Sequence, residues 1–409
     1  MSSLVPDRTS PIALRLSVAY ATTGTNGGIA VPFFGAWLAW KGMNPAQIGA
    51  LLSAGMLLRV VVPPVTGIVA DARNDRRSMM IALVAAQFVL YAALNFVITP
   101  VQIFLVAVTA SVAGSASSPL LESVSMRLAE RFGFDYGRVR LWNSVTFAAG
   151  NFISGLAVSR WGLVVLAPWL TLSLTSSLAA ICWLPAPPRG HSSGQLGIKL
   201  RATLAEAHEL MRSLPFLLFL MASSFDQASH AFYYGYGGLH WQQLGYSGAL
   251  IGAIWPLGVV AEAMLFSVSL KLFRVVGATR LLMLGGLGCL VRWTILSFDP
   301  PLGLVIFAQF LHGMTFALAH LGAMYFILKA VPPRLSATAQ SLYAVFSNGI
   351  VMGLATYASG RLYGAYGGRT YLLMAAMGLA AILFALWLNR AWHGGRITPG
   401  GSEEASDVI

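Results

Sequence analysis

The chain has 409 residues, 57% of them hydrophobic and 10% charged, with a formal net charge of +12 and a mean hydropathy of +0.71. So little polar surface excludes a water-soluble globular domain, and apolar runs of ~20 residues in place of weak ~10-residue alternation exclude a membrane β-barrel. The basic residues sit in short loops between apolar runs, which excludes a nucleic-acid binder. Lipid offers backbone groups no partners, so helices are the remaining way across.

Twelve spans are predicted, near 13–40, 46–70, 78–98, 101–128, 139–160, 163–184, 214–240, 248–272, 280–298, 302–329, 336–360 and 369–390. The N-terminus does not read as a cleaved signal, because Arg15 precedes a long span broken by Gly and Pro. Six spans precede the hydrophilic stretch 185–212 and six follow it. The expected fold is therefore an all-α integral membrane protein in two six-helix bundles, residues 1–184 and 213–409, joined by a cytoplasmic central loop, 185–212. With both termini in the cytoplasm, twenty of the 26 basic residues fall on the inner side and four, Lys41, Arg160, Arg361 and Arg369, on the outer. That asymmetry sets the topology.

An ionisable group inside a span costs ~2.5–3.5 kcal/mol and needs a partner or a task. The acids are Glu122, Asp226 and Glu262; the bases are Arg59, Arg292 and, at the start of span five, Arg140. Three against three suits mutual compensation, and it also suits buried pairs that only hold the bundles together. In span four, Ser111, Ser115, Ser118, Glu122 and Ser125 recur on one helical face. This stripe is expected to face a water-filled cavity, although serines also serve close helix packing. In span seven, Asp226 and His230 are four apart, and Phe232, Tyr233, Tyr234 and Tyr236 follow. Such rings can stack on a flat ligand or form an interfacial belt. Span ten carries His312 and His320, whose titration near neutrality suits proton coupling or a satisfied interior histidine.

No hydrolase elbow, P-loop or metal-ligand spacing is present, and Cys182 and Cys289 form no ligand cluster. No cofactor, metal or enzymatic reaction is expected. Gly150, Gly155 and Gly162 follow no phosphate-binding pattern and are expected to let helices approach closely.

After span two the chain reads Gly67-Ile-Val-Ala-Asp71-Ala-Arg73-Asn-Asp-Arg76-Arg77. This resembles the loop motif of the major facilitator superfamily, with the late glycine replaced by Asn74 or Asp75. Pro32-Phe33-Phe34, Pro119-Leu-Leu-Glu122, Phe134 to Trp142, Phe225-Asp226-Gln227, Glu262, Arg292 and Leu311-His312 resemble lactose permease in order. The stretches Asp135–Trp142, Tyr233-Tyr234-Gly235, Leu257–Glu262 and Val291-Arg292-Trp293 look more like the bacterial phenylpropionate permease group.

The resemblance implies a proton-coupled symporter of the bacterial inner membrane, working by alternating access, for which a monomer suffices. It implies Glu122 and Arg140 as substrate-binding residues, and Glu262, Arg292 and His312 as a binding or proton-coupling set. The sugar permease carries a glutamate three residues after this histidine, where Thr315 stands here, and a lysine in span eleven, where Phe346-Ser347-Asn348 stands. Glu262 beside Arg292 is the first choice for the proton site and Asp226 the second. Asp71 with Arg73, Arg76 and Arg77 is expected to form a cytoplasmic gate latch, and Asp71 can cap a helix end. The expected substrate is a small aromatic carboxylate, with a sugar or nucleoside as the alternative and a non-transporting membrane receptor as the rival from another class. Arg140 and Arg292 supply forked donors for the acid, and Asp226, His230, Tyr233 and Tyr234 complete the expected substrate site.

Overall fold

The computed structural model describes residues 11–73, 75–185, 196–268 and 275–397, with backbone alone at 71, 72 and 196–202. The first half holds α1 (Pro11–Trp40), α2 (Pro45–Leu58), α3 (Val62–Ala72), α4 (Arg76–Ala93), α5 (Pro100–Phe132), α6 (Tyr136–Trp161) and α7 (Leu166–Trp183). Then come α8 (Leu196–Met211), α9 (Leu214–Ala228), α10 (Ala231–Gln243), α11 (Gly248–Ser267) and α12 (Ala278–Leu296). The last are α13 (Leu302–Phe310), α14 (Ala319–Ala330), α15 (Ser336–Ala344), α16 (Met352–Tyr366) and α17 (Tyr371–Ala391).

Local chemistry sets the ends of these helices. Asn44 with Gln47, and Thr99 with Gln102, form reciprocal capping boxes at α2 and α5, each followed by a proline that gives up no needed N–H. Asp135 accepts from the Gly137 N–H (2.8 Å) to start α6. Asp75, four residues after the anticipated Asp71, accepts from the Ser78 N–H (2.9 Å) to start α4. Gly133 ends α5 at φ 69°, where a side chain would be strained.

Four predicted spans are not continuous. The second breaks at Arg59–Val61, just before Pro63-Pro64, where the proline rings remove donors and disfavour helical geometry in the residue ahead. The seventh breaks at Ser229–His230. The tenth and eleventh contain wider π-helical turns at Gly313–Leu318 and Val345–Val351. The predicted central loop carries α8, whose Leu, Ala and Glu content favours helix; residues 186–195 lie outside those described. The eighth span was expected to reach 272, but the described helix ends at Ser267 and residues 269–274 lie outside those described.

Among the described residues, seven helical segments are long and apolar enough to cross a membrane: Pro45–Ala70, Pro100–Phe132, Leu163–Trp183, Gly248–Ser267, Ala278–Leu296, Leu302–Ala330 and Pro333–Ala391. Exposure is inverted relative to a soluble protein. Leu172 is 68% and Leu354 58% exposed, while Asp226, Arg292 and His230 are fully buried. Apolar outside and polar inside is the pattern lipid demands. The chain is a multi-pass membrane protein.

By internal contacts the chain divides into one unit of residues 1–194 with 234–256, and another of 195–233 with 257–409. In the first, Leu16, Tyr20, Met80, Leu120, Val124, Phe134 and Ile181 share a core. Glycine makes its closest helix approaches. A Cβ on Gly28 would lie 2.4 Å from the Phe147 carbonyl oxygen, one on Gly150 3.3 Å from the Gly28 Cα, and one on Gly155 2.9 Å from the Gly252 Cα. Gly150 and Gly155 thus act as expected, whereas Gly162 instead ends α6 at φ 76°. In the second unit, Phe219 stacks on Phe326 (4.4 Å between centroids) and Trp392 meets Phe326 edge-on (4.9 Å).

Candidate functional site

Five of the residues singled out in the sequence, Asp226, His230, Tyr233, Arg292 and His312, lie at or beside the break between α9 and α10. Helical hydrogen bonding lapses at Ser229–His230, and side chains from α12 and the π turn fill the gap. The Ser229 hydroxyl donates to the Asp226 carbonyl (2.7 Å) and accepts from the Trp293 indole N–H (3.0 Å). The break is thereby tied to α12.

Arg292, fully buried on α12, is the hub. Its Nη1 donates to His312 Nδ1 (2.8 Å) and to the Thr315 hydroxyl (3.1 Å), and its Nη2 donates to Gln309 Oε1 (3.0 Å). The guanidinium also lies over the rings of Trp293 (4.4 Å) and Tyr233 (4.9 Å). Stacking and forked donation together use both properties that distinguish arginine from lysine. The same Oε1 of Gln309 also accepts from the Tyr233 hydroxyl (3.1 Å).

These contacts run in a directed chain. His230 Nδ1 lies 3.1 Å from the Gln227 carbonyl, which can only accept, so Nδ1 carries the hydrogen. Nε2 of the neutral ring then accepts from the Thr315 hydroxyl (2.9 Å), which itself accepts from Arg292. His312 meets His230 edge-on (5.2 Å), and a Cβ on Gly258 of α11 would lie 3.0 Å from its Cδ2. Gly258 and Ala261 thus place α11 against the π turn, and Glu262, the next residue along α11, is half-buried.

Asp226 is fully buried. The Cys289 thiol donates to its Oδ1 (3.1 Å), while its Oδ2 has no hydrogen-bond partner among the described residues. Cys289 and Arg292 are three apart on α12, so one helix carries the partner of the acid and the hub of the polar cluster.

The second expected pair belongs to the other unit. Arg140 Nε meets Glu122 Oε1 (3.1 Å), and the Tyr136 hydroxyl donates to Glu122 Oε2. Arg140 engages through Nε, its two terminal nitrogens make no hydrogen bond among the described residues, and the side chain is 62% exposed. The serine stripe runs from exposed Ser118 to buried Ser125, whose hydroxyl turns back to the Leu121 carbonyl (2.7 Å). Arg59, near the other end of that stripe, donates to Ser111 (3.2 Å).

The aromatic run of span seven is divided. Tyr233 belongs to the Arg292 cluster. Phe232 packs edge-on against Tyr371 (4.5 Å), and Tyr236 is buried with its hydroxyl on the Pro45 carbonyl (2.8 Å), so neither presents a ring face as expected. Tyr234 is half-buried within the other unit. In the loop motif, Arg76 donates to Ser123 and Arg77 to the Cys182 carbonyl (2.5 Å), which anchors α4 to α5 and α7. Arg73 is exposed, Gly67 meets no neighbour within 4 Å, and the Asp71 side chain lies outside the described residues. No group of three metal-ligating side chains occurs among the described residues.

The sequence reading missed Gln309, Thr315 and Cys289. Gln309, His312 and Thr315 recur at three-residue spacing, which puts them on one side of a helix. That spacing was the available signal.

A helical membrane protein with a buried, hydrogen-bonded polar cluster at helix breaks has the general architecture of a secondary transporter. The MFS_1 like family model matches residues 14–374, and the chain belongs to that family of the major facilitator superfamily. It is 32% identical to the Escherichia coli (strain K12) protein named "Probable 3-phenylpropionic acid transporter", over 90% of this chain and 95% of that one. It is 23% identical to lactose permease of Klebsiella oxytoca, over 87% and 89%. The crystal structure of the nucleoside transporter NupG (D323A mutant) superposes with a TM-score of 0.81 at 18% identity, over 93% of this chain and 99% of that chain. That last likeness speaks to the fold alone.

Proposed function

We propose that the chain is a proton-coupled symporter of a small organic solute. In this reading it crosses the bacterial inner membrane twelve times, keeps both termini in the cytoplasm, and works by alternating access as a monomer. The observation that carries it is the buried cluster at the α9–α10 break. There an arginine, two histidines and a threonine are linked by hydrogen bonds, and a carboxyl lies within one helical turn of the break. A carboxylate with no cationic partner is costly in the interior and is tolerated when neutral. Asp226 meets that description, so it replaces half-buried Glu262 as the first candidate for the proton carrier, with Glu262 second. Protonated Asp226 releases its proton when water or a cation reaches Oδ2, and takes one up again as the site closes.

The substrate is a small aromatic carboxylate of the phenylpropionate type. The name of the relative at 32% identity supports this, and so does the chemistry of Arg140, whose terminal nitrogens form a fork suited to a carboxylate. Glu122, Arg140, His230, Tyr233 and Tyr234 are the proposed substrate residues. Asp226, Glu262, Arg292 and His312 form the proton-coupling set, and Gly67, Asp71, Arg73, Arg76 and Arg77 the cytoplasmic gate. A second reading, sugar or nucleoside symport, draws on the Glu122–Arg140 pair, because an acid beside an arginine can divide acceptance and donation between hydroxyls. Competition for binding by phenylpropionate and by its amide separates the two. The anion should compete roughly ten- to hundredfold better, as loss of a charged hydrogen bond of ~1.5–3 kcal/mol requires. Equal competition, or displacement of both by a neutral disaccharide, would reject the carboxylate.

A further inference from the structure

Tyr20 of α1 is buried, 3% exposed, and its hydroxyl has no hydrogen-bond partner among the described residues. A buried, unsatisfied hydroxyl is costly and calls for a reason. The backbone around it is fixed. The Asn143 side chain of α6 donates to the Tyr20 carbonyl (3.3 Å), and the Thr146 hydroxyl donates to the Ala21 carbonyl (2.7 Å). The ring is placed as well, edge-on to Tyr136 with centroids 6.4 Å apart. Only the hydroxyl is left over.

That hydroxyl lies beside Ser125 and Glu122 without bonding to either, and the Arg140 charge is within electrostatic reach. The Ser125 hydroxyl donates to the Leu121 carbonyl (2.7 Å). Glu122 is the charged acceptor of the group. It receives Arg140 Nε at Oε1 (3.1 Å) and the Tyr136 hydroxyl at Oε2. A carboxylate has about four lone-pair sites, so two donors leave room for a third. Two tyrosines thus stand edge to face beside one carboxylate, with one hydroxyl in use and the other in reserve.

An anionic substrate creates the need for that reserve. A carboxylate on the terminal nitrogens of Arg140 competes with Glu122 for one guanidinium, and the two acids repel each other. We propose that Tyr20 is a positioning residue of the substrate site: its hydroxyl turns onto Glu122 as Arg140 turns toward the substrate carboxylate. Glu122 then keeps two donors while Arg140 is released. A charge-assisted hydrogen bond is about twice as strong as a neutral one, which favours Glu122 over Ser125 as the acceptor. Burial keeps the hydroxyl away from the substrate itself. The inference rests on the reading of Glu122 and Arg140 as substrate residues.

The test is calorimetric titration of the purified full-length chain in detergent, at neutral pH, with 3-phenylpropionate and with its amide. Melting temperatures without ligand are measured alongside. Tyr20→Phe keeps the ring and deletes the hydroxyl. It should bind phenylpropionate about tenfold more weakly, the effect of one hydrogen bond to a charged group, and bind the amide within about threefold of the wild type. Without ligand it should melt no lower than the wild type, because the deleted hydroxyl had no partner. Tyr136→Phe deletes a bonded hydroxyl and should melt lower. Arg140→Gln should lose phenylpropionate affinity in the same titration. That loss, with unchanged phenylpropionate binding in Tyr20→Phe, would overturn the role of Tyr20 and leave the substrate site standing. Lower melting of Tyr20→Phe, or an equal loss for acid and amide, would also overturn that role and assign the hydroxyl to packing. Phenylpropionate binding that survives Arg140→Gln, or a wild type that binds neither ligand, would overturn the substrate site and the role of Tyr20 with it.

Discussion

Replacing Arg292 by lysine keeps the buried charge and removes the geometry. The guanidinium donates to His312 (2.8 Å), Thr315 (3.1 Å) and Gln309 (3.0 Å) from two nitrogens set at a fixed angle. An ammonium on a flexible stem can keep one acceptor and cannot span all three while lying over Trp293 and Tyr233. Hydrogen bonds to charged groups contribute ~1.5–3 kcal/mol each. The lower end applies here, since the three share one group, so losing two costs about 3 kcal/mol. At 1.4 kcal/mol per factor of ten, the assembled arrangement becomes over a hundredfold rarer. Because charge is conserved, membrane insertion should be normal. Initial uptake rates in proteoliposomes should fall by at least tenfold, and the melting temperature in detergent should drop. Wild-type uptake and melting in Arg292→Lys would refute the idea that the fork organises the site.

Thr315→Val preserves shape and deletes the hydroxyl that joins Arg292 to His230. Stranding two buried polar groups costs ~1–3 kcal/mol each, so uptake should fall while Thr315→Ser retains most of it; equal behaviour of Val and Ser would show that the bridge is not needed. Gly28→Ala would place a Cβ 2.4 Å from the Phe147 carbonyl oxygen and force α1 away from α6, at about 1–3 kcal/mol; a melting temperature unchanged from wild type would contradict that packing. Asp71→Asn should slow transport while leaving ligand affinity within a few-fold, and total loss of binding in folded protein would remove it from the gate and place it at the substrate.

The ionisable groups are legible because each is conspicuous in an apolar run: Asp226, His230, Arg292 and His312 stand out in the sequence, and they converge in the fold. Partners that carry no charge were not legible. Thr315 first registered as a missing glutamate, yet its hydroxyl joins two helices. Cys289 read as one more apolar residue, yet it is the thiol on Asp226. The break at Ser229–His230 contains neither proline nor glycine, so no local signal separates α9 from α10; tertiary bonds from Trp293 and Thr315 hold it open. The break after α2 did have a signal, Pro63-Pro64, but the uninterrupted apolar run obscured it. Aromatic spacing misled for Phe232 and Tyr236, since a ring on a helix can serve packing as readily as a ligand.

The central claim is that solute and proton move together through a site in which Asp226 carries the proton. The most direct measurement is external pH in right-side-out vesicles after addition of a substrate whose uptake has been verified separately. The wild type should alkalinise the medium as substrate enters. Asp226→Asn, neutral and nearly isosteric, should abolish that alkalinisation while still exchanging internal for external substrate. Verified uptake without any pH change in the wild type would contradict proton symport, and unchanged alkalinisation in Asp226→Asn would return the proton to Glu262.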